Sequence, residues 1–207
     1  MAAAYSSFIY GEFGGRRQIV GYDRRSLGGW DVKTGKRLWQ LVPPAEGDFN
    51  VPTPIAVDGG VIVSTENNGT RFYRFDESGR IISKPAAEST ELSPNTATPV
   101  VTCGRVFGAH PGLCCLDVQT GMKPVWQREE EGLGDHATLI ADDERVLVIT
   151  LGGELILLDG KADECAIISR LRLFDDDVEV YSHPALVGTR LYARGGSSVV
   201  CADLGTD

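Results

Sequence analysis

The chain has 207 residues, 42% of them hydrophobic, and a formal net charge of −9. This composition is sufficient for a packed core, and the negative charge disfavours non-specific binding to nucleic acid or to an anionic membrane surface. No apolar run approaches the length of about 18 residues that a membrane-spanning helix needs, and no basic segment leads into an apolar run near Met1, so we expect neither a membrane span nor a signal peptide in this sequence.

The predicted elements begin with four short strands before residue 42. We place them at 7–13, 18–22, 27–32 and 36–41 and name them a, b, c and d in chain order. The turn between c and d contains Thr34 and Gly35, and glycine adopts the positive φ of such a turn without strain. A polar loop with two prolines, at 42–48, ends this group of strands.

The same order of strands recurs downstream. The second group has strands at 53–57, 61–65, 71–76 and 80–83, followed by a long loop at 84–95. The third group has strands at 98–102, 105–108, 113–118 and 125–128, and the fourth has strands at 137–141, 146–151, 154–159 and 166–173. The fifth group has only a, b and c, at 183–187, 191–194 and 198–202.

An aspartate marks the end of strand c in every group. These aspartates are Asp31, Asp76, Asp117, Asp159 and Asp203, with spacings of 45, 41, 42 and 44 residues. No segment holds a helical apolar pattern, and four short strands at a period of about 40–50 residues are typical of a β-propeller blade. We therefore predict an all-β fold in a single domain over 1–207. Its four-stranded antiparallel blades are placed at 7–41, 50–83, 96–128 and 136–173, with a partial fifth blade at 182–203.

The clearest copies of the repeat are 29–39 and 116–126, which share an aspartate, a Thr-Gly pair and a tryptophan. Together with Thr53-Pro54 and Asp58-Gly59 in the second group, this pattern resembles the pyrroloquinoline quinone (PQQ)-type β-propeller repeat. The resemblance implies that Trp39 and Trp126 pack between neighbouring blades. It also implies a larger propeller of about seven or eight blades, of which this chain is the C-terminal part. The alternative is closure as a small propeller, or self-association at an open blade edge.

The resemblance implies two functions. The repeat occurs in cofactor-free propellers, such as the outer-membrane assembly lipoprotein of the barrel-insertion machinery, which implies a non-catalytic scaffold that binds a protein partner and needs no cofactor. It also occurs in quinoprotein dehydrogenases, which implies, as the alternative, a fragment of a PQQ-dependent oxidoreductase with PQQ and calcium. Either implies a periplasmic or otherwise exported protein whose signal lies outside this sequence, and a cytoplasmic location stays open.

The sequence contains no catalytic motif that decides between these functions. There is no Gly-x-Ser-x-Gly elbow and no nucleotide-binding Gly-x-Gly-x-x-Gly. The five cysteines include no Cys-x-x-Cys pair, so no metal site is predicted. Cys114 and Cys115 either form a vicinal disulfide, which would favour the oxidoreductase, or point to opposite faces of strand c as small apolar side chains.

Blade geometry places most of the acidic loops on one rim, because the d-to-a loops and the b-to-c turns of a propeller lie at the same end. From this rim and the channel mouth we select seven candidate binding residues: Glu66, Asn67, Asn68, Arg71, His110, His136 and His183. The same rim is predicted to carry Arg24, Arg25, Glu46, Asp48, Glu88, Glu91, Glu129, Glu130, Glu131, Asp135, Asp175, Asp176, Asp177 and Glu179. Such a rim can bind a basic protein partner, stack a sugar on Tyr22, Trp30, Phe49 or His110, or be an ordinary solvated surface.

Overall fold

The computed structural model describes residues 4–110, 112–130, 132–133, 136–175 and 178–205. Across these residues every regular element is a β-strand, and the strands form five antiparallel sheets. Four sheets have four strands and the last has three, which confirms the predicted all-β fold of four blades and a partial fifth. No helix in the described part of the chain is long and apolar enough to cross a membrane.

The sheets follow one another along the chain, and we number them 1 to 5. Sheet 1 contains β1 (Ile9–Phe13), β2 (Arg16–Tyr22), β3 (Leu27–Asp31) and β4 (Arg37–Leu41). Sheet 2 contains β5 (Ile55–Val57), β6 (Gly60–Thr65), β7 (Gly69–Tyr73) and β8 (Ala87–Ser89). Sheet 3 contains β9 (Val100–Thr102), β10 (Arg105–Ala109), β11 (Leu113–Asp117) and β12 (Lys123–Arg128). Sheet 4 contains β13 (Ala137–Ala141), β14 (Arg145–Thr150), β15 (Glu154–Asp159) and β16 (Ile167–Arg172). Sheet 5 contains β17 (Ala185–Val187), β18 (Arg190–Gly195) and β19 (Ser198–Asp203).

Each sheet is a meander in which consecutive strands pair with one another. In three sheets the pairing of the third strand with the fourth shifts register, between positions 29 and 30, 115 and 116, and 157 and 158. The shift comes directly before the repeated aspartate in each case. The repeat therefore encodes a β-bulge, which bends the edge strand at the same place in each of these sheets.

The fourth strand of sheet 2 differs from the prediction. We expect it at 80–83, but that stretch makes only an isolated bridge, from Phe75 to Ile81, and β8 lies within the predicted loop at 84–95. The backbone hydrogen bonds explain the displacement: Ile82 N–H donates to the Arg74 carbonyl, and Ala86 N–H donates to the Phe72 carbonyl. The intervening residues 83–85 bulge out of the edge strand, and Pro85 has no N–H to donate.

The sheets stack face to face because alternate side chains of each strand pack on the two neighbouring sheets. In sheet 2, Val61, Val63 and Tyr73 pack against sheet 1, whereas Ile62 and Phe72 pack against sheet 3. Clusters of the same kind join sheets 3 and 4 and sheets 4 and 5. The five sheets are therefore packed in chain order, and the first strands of sheets 1 to 4 approach one another in the same order.

The repeated aspartates close the turns that follow the third strands. Asp31 Oδ1 accepts hydrogen bonds from the backbone N–H groups of Lys33 and Thr34 and from the Thr34 hydroxyl. In each of the other four turns, the aspartate side chain accepts from the backbone N–H of the residue two positions further on. These aspartates are Asp76, Asp117, Asp159 and Asp203. This is the Asx-turn that favours aspartate at the start of a turn.

The two predicted docking tryptophans lie between sheets. Trp39 is buried between sheets 1 and 2, and its Nε1 donates to Gln18 Oε1 at 2.7 Å. A Cβ at Gly29 would overlap both of these side chains, so sheet 1 needs glycine at this position. Trp126 packs in the cluster between sheets 3 and 4, with its ring centroid 6.0 Å from that of Phe107.

Candidate functional site

The candidate site lies where the loop from sheet 1 to sheet 2, residues 42–54, crosses the b-to-c turns of both sheets. On one side, the Asn50 carboxamide donates to the backbone carbonyls of Asp23 and Arg24 at 3.4 Å. On the other side, Asp48 Oδ1 accepts from the N–H of Asn67 at 2.8 Å. These contacts bring the d-to-a loop and the b-to-c turns together on one rim.

The predicted binding residues Glu66, Asn67 and Asn68 hold this loop in place. Asn68 pairs with both backbone groups of Ala45, at 2.8 and 2.9 Å, and also donates to Asp48 Oδ2 at 2.6 Å. Glu66 Oε1 accepts from the N–H of Phe49 at 2.6 Å. Asn67 is exposed and contacts the loop through its backbone N–H. Two of the three side chains therefore fix the loop conformation.

The turn in sheet 1 that faces the loop is built on Asp23. Its Oδ1 accepts from the N–H groups of Arg25 and Ser26 and from the Ser26 hydroxyl, and its Oδ2 accepts from Arg37 at 2.8 Å. Burial acts to raise the pKa of Asp23, but these hydrogen bonds and the Arg37 charge outweigh it, and the pKa lies below its usual value. The carboxylate therefore stays ionised and fixes the backbone that presents Arg24 and Arg25.

Loop and turn enclose a cleft of about 740 Å³, which we call the rim cleft. It is lined by Arg24, Arg25, Gln40, Val42, Pro43, Ala45, Glu46, Gly47, Asp48, Phe49 and Asn50. Phe49 is 65% exposed and Val42 is 59% exposed. Within the described ranges neither Arg24 nor Arg25 forms an ion pair. The cleft thus combines two free guanidinium groups with an exposed apolar wall.

Arg71, another predicted binding residue, lies beneath this rim between sheets 1 and 2. It is only 3% exposed, and its guanidinium donates to the Tyr22 and Tyr73 hydroxyls at 3.4 Å and to the Thr65 hydroxyl at 3.2 Å. Burial raises the pKa of Tyr22 and of Tyr73, although the Arg71 charge opposes this. Arg71 therefore links the ends of strands from two sheets and is not open to a partner.

The histidines fall into two places. His136 and His183 come together: the His136 Nδ1 is 3.0 Å from the Thr96 hydroxyl, and burial, followed by the charge of His183, lowers the His136 pKa. The Tyr181 ring lies 5.6 Å from His136. His110 lies in the turn between β10 and β11, with a φ of 106°. Among the described residues, no hydrogen bond or ring contact joins His110 to His136 or His183.

The side chains around His136 differ from the ligands of calcium, which would accompany PQQ under the alternative function. Calcium takes oxygen ligands, above all carboxylates, whereas the group around His136 consists of imidazole, hydroxyl and phenol side chains. In the described part of the chain, no three His, Cys, Asp or Glu side chains are grouped as metal ligands. These side chains do not fit the ligand set of calcium, and we derive no chemical step through PQQ.

The structure does not describe four of the predicted rim residues, and the sequence analysis did not select every residue that lines the rim cleft. The predicted rim residues Glu131, Asp135, Asp176 and Asp177 lie outside the described residues. Sequence reasoning placed Arg24, Arg25 and Phe49 on the rim but missed Asn50, which is 2% exposed and has a φ of 53°. The sequence gives only a weak signal for Asn50, because asparagine adopts positive φ more readily than most residues and is common in loops.

Comparisons with known proteins support the family resemblance that the repeat pattern indicated. The sequence matches the family model described as outer membrane protein assembly factor BamB over residues 6–207. None of the curated proteins matches it. The structure is similar to the computationally designed Ika8 protein, with a TM-score of 0.71 and 12% identity over 99% of this chain and 59% of that chain. It is also similar to BamB from Moraxella catarrhalis, with a TM-score of 0.58 and 18% identity over 89% of this chain and 53% of that chain.

The two solved structures share the fold with this chain, and the chain spans little more than half of the length of either one. The family model extends over nearly the whole sequence and over all five sheets. The chain therefore belongs to the PQQ-type β-propeller repeat family of outer membrane protein assembly factor BamB.

Proposed function

We propose that the chain is a non-catalytic scaffold in outer membrane protein assembly, and that it binds a protein partner through the rim formed by loop 42–54. The assembly role is taken from the description of the family. The observation that carries the binding role is the rim cleft, because it is held open by a fixed loop and leaves two guanidinium groups without ion pairs among the described residues.

The loop has the rigidity that a binding surface needs. Asn68 and Glu66 fix its centre, and Asn50 fixes its end against sheet 1. A loop that is ordered before binding loses less conformational entropy when a partner arrives. The exposed Phe49 ring supplies the kind of aromatic contact that often dominates the binding energy of protein interfaces. The proposed location, by analogy with the family, is the periplasm.

A gene deletion tests the proposed function in the organism that encodes the chain. We expect the deletion to lower the amounts of assembled proteins in isolated outer membranes, as measured by quantitative mass spectrometry. The wild-type gene should restore them, with the protein in the periplasmic fraction. A Phe49→Asp variant should restore them only in part, whereas Val32→Asp, at an exposed apolar position at the opposite end of sheet 1, should restore them fully.

Two results would overturn the proposal. Unchanged outer membranes in the deletion strain would remove the assembly role, and equal complementation by both variants would remove the binding role of this rim. The oxidoreductase alternative is tested on the purified protein with added PQQ and calcium. A quinone absorbance band that survives desalting, together with dye reduction by an alcohol, would overturn the non-catalytic assignment.

A further inference from the structure

We infer that the rim cleft binds an extended peptide segment and that Arg24 and Arg25 bind a carboxylate of that segment. This inference rests on the proposed function and names the chemistry that the rim would recognise. It is carried by three features of the cleft: a basic wall, a buried acceptor on the floor and an apolar wall. Each feature points to a different part of the same kind of ligand.

The basic wall consists of Arg24 and Arg25. Both side chains are exposed, both line the cleft, and neither has a carboxylate partner among the described residues. The Asp23 turn fixes their backbone, since Arg25 N–H donates to Asp23 at 2.9 Å. Two guanidinium groups that line one cleft repel each other electrostatically, and an anion bound in the cleft relieves that repulsion. Arginine also matches the planar geometry of a carboxylate and can donate two parallel hydrogen bonds to it.

The floor of the cleft carries Asn50, which is 2% exposed. The Asn50 Nδ2 donates to the backbone carbonyls of Asp23 and Arg24, so this amide orientation leaves Oδ1 as the free end. Oδ1 is buried and has no hydrogen-bond partner among the residues that the structure describes. A buried acceptor without a donor is unfavourable, so we expect the Asn50 side chain to turn Oδ1 towards the cleft when a peptide binds and to accept a hydrogen bond from a backbone N–H of that peptide.

The apolar wall is formed by Phe49, Val42 and Pro43. Phe49 and Val42 are more than half exposed, so an apolar side chain of a ligand would bury surface that now faces water. A cleft of about 740 Å³ is large enough for several residues of an extended chain. A segment that offers a carboxylate, a backbone N–H and an apolar side chain satisfies all three features.

A polyanion fits the cleft less well than a peptide carboxylate does. Glu46 and Asp48 also line the cleft, and the chain carries a net charge of −9. These charges disfavour a nucleic acid or a phosphorylated surface, which would bring several negative charges at once. The carboxylate itself can come from an acidic side chain or from the end of a chain, and the experiment separates these two sources.

The test uses the full 207-residue chain and three synthetic peptides in amide-resolved NMR titrations. The first peptide, acetyl-Gly-Phe-Asp-Val-Asp-Gly-amide, has only side-chain carboxylates. The second has asparagine in place of both aspartates and a free carboxyl end, and the third has asparagine and an amide end. We expect shifts of the amides of residues 22–26, 42 and 45–50 with the first or the second peptide and none with the third, up to about 2 mM peptide.

Two variants test the basic wall. Arg24→Ala with Arg25→Ala should weaken the binding of the carboxylate peptide by about tenfold or more, since charge-assisted hydrogen bonds are lost. Lys33→Ala with Lys36→Ala removes the same charge from the opposite end of sheet 1, where both lysines are exposed, and should leave the affinity unchanged. Because the side chains of Arg24 and Arg25 are exposed and unpaired in the described structure, their removal should not disturb the fold.

Binding of the first peptide would identify a side-chain source, and binding of the second a chain end. Equal binding of all three peptides, no binding of any, or an unchanged affinity in the arginine variant would overturn the inference. Failure of the carboxylate site can be distinguished from failure of the proposed function. If the arginine variant still restores outer-membrane assembly and the peptides do not bind, the scaffold role stands while the carboxylate site is wrong.

Discussion

At the scale of single residues, the repeated aspartates link the sequence pattern to stability. The hydrogen bond from the Thr34 hydroxyl, the bond from the Thr34 N–H and the bond from Arg16 hold the pKa of Asp31 at about 2. Asp76 and Asp203 have lowered pKa values for the same kind of reason, with a side-chain hydroxyl as the first cause. The ionised form is therefore favoured in the folded state at each of these turns.

Substitution of Asp31 by Asn should lower the melting temperature in a pH-dependent manner. The folded pKa lies below the unfolded value of 3.8, so the charge stabilises the fold above about pH 4 and its contribution is lost as the pH falls towards 2. We expect the variant to melt about 2–4 °C below the wild type at pH 6, and this difference to shrink by pH 2.5. A difference that stays constant over this pH range in thermal unfolding would contradict the assignment.

Replacing Trp39 by Phe should destabilise the protein more than replacing Trp126 by Phe. In Trp39→Phe the buried Gln18 Oε1 loses its donor, which costs about 1–3 kcal/mol in addition to the lost packing. In Trp126→Phe no hydrogen bond of the described structure is lost, because the buried Trp126 Nε1 has no partner there. Urea unfolding should give the larger loss of stability for Trp39→Phe. Equal losses would show that the Gln18 contact does not contribute.

The cysteines should separate into reactive and protected groups. Cys114 and Cys115 are buried in clusters on opposite faces of sheet 3, and burial raises the pKa of each thiol to about 12. Cys103 and Cys201 are exposed. Mass spectrometry after brief treatment with iodoacetamide at pH 8 should find Cys103 and Cys201 modified and the adjacent pair unmodified. A mass two units lower, confined to the peptide with Cys114 and Cys115, would reveal a vicinal disulfide instead.

At the scale of elements, loop 42–54 depends on one asparagine of the Asn67-Asn68 pair. The Asn68 side chain makes three hydrogen bonds to the loop, whereas Asn67 contacts it through its backbone N–H. Asn68→Ala should therefore accelerate hydrogen exchange of the Ala45 amide by about tenfold, and Asn67→Ala should leave that rate nearly unchanged. Similar exchange rates in the two variants would show that the loop is held by other contacts.

The strands could be predicted where the repeat is intact, and less well where it is interrupted. Turns after the repeated aspartates, such as the one at Asp31, are local structures whose residues determine their own geometry. The fourth strand of sheet 2 was misplaced because residues 83–85 interrupt it. The sequence around Pro85 does not show the alternation of apolar and polar residues that indicates a strand. Its position follows from pairing with β7 instead.

At the scale of the whole molecule, the stacked sheets were predictable and the site was only partly so. The repeat predicted blades that pack against one another, and β6 is buried on both faces between sheets 1 and 3. The burial of Arg71 and the free acceptor of Asn50 could not be read from the sequence. The burial of Arg71 depends on a contact between sheets 1 and 2, with Tyr22, which is 49 positions away in the chain. The position of Asn50 depends on the contact of loop 42–54 with the turn at Asp23.

The most direct test of the account is site-specific photo-crosslinking in living cells. A benzophenone amino acid at position 49, on the rim, is compared with one at position 32, at the opposite end of sheet 1. The account predicts that position 49 crosslinks to one defined protein partner and that position 32 does not. Crosslinks from position 32 alone, or from neither position in cells with normal amounts of the protein, would contradict the claim that this rim is the binding surface.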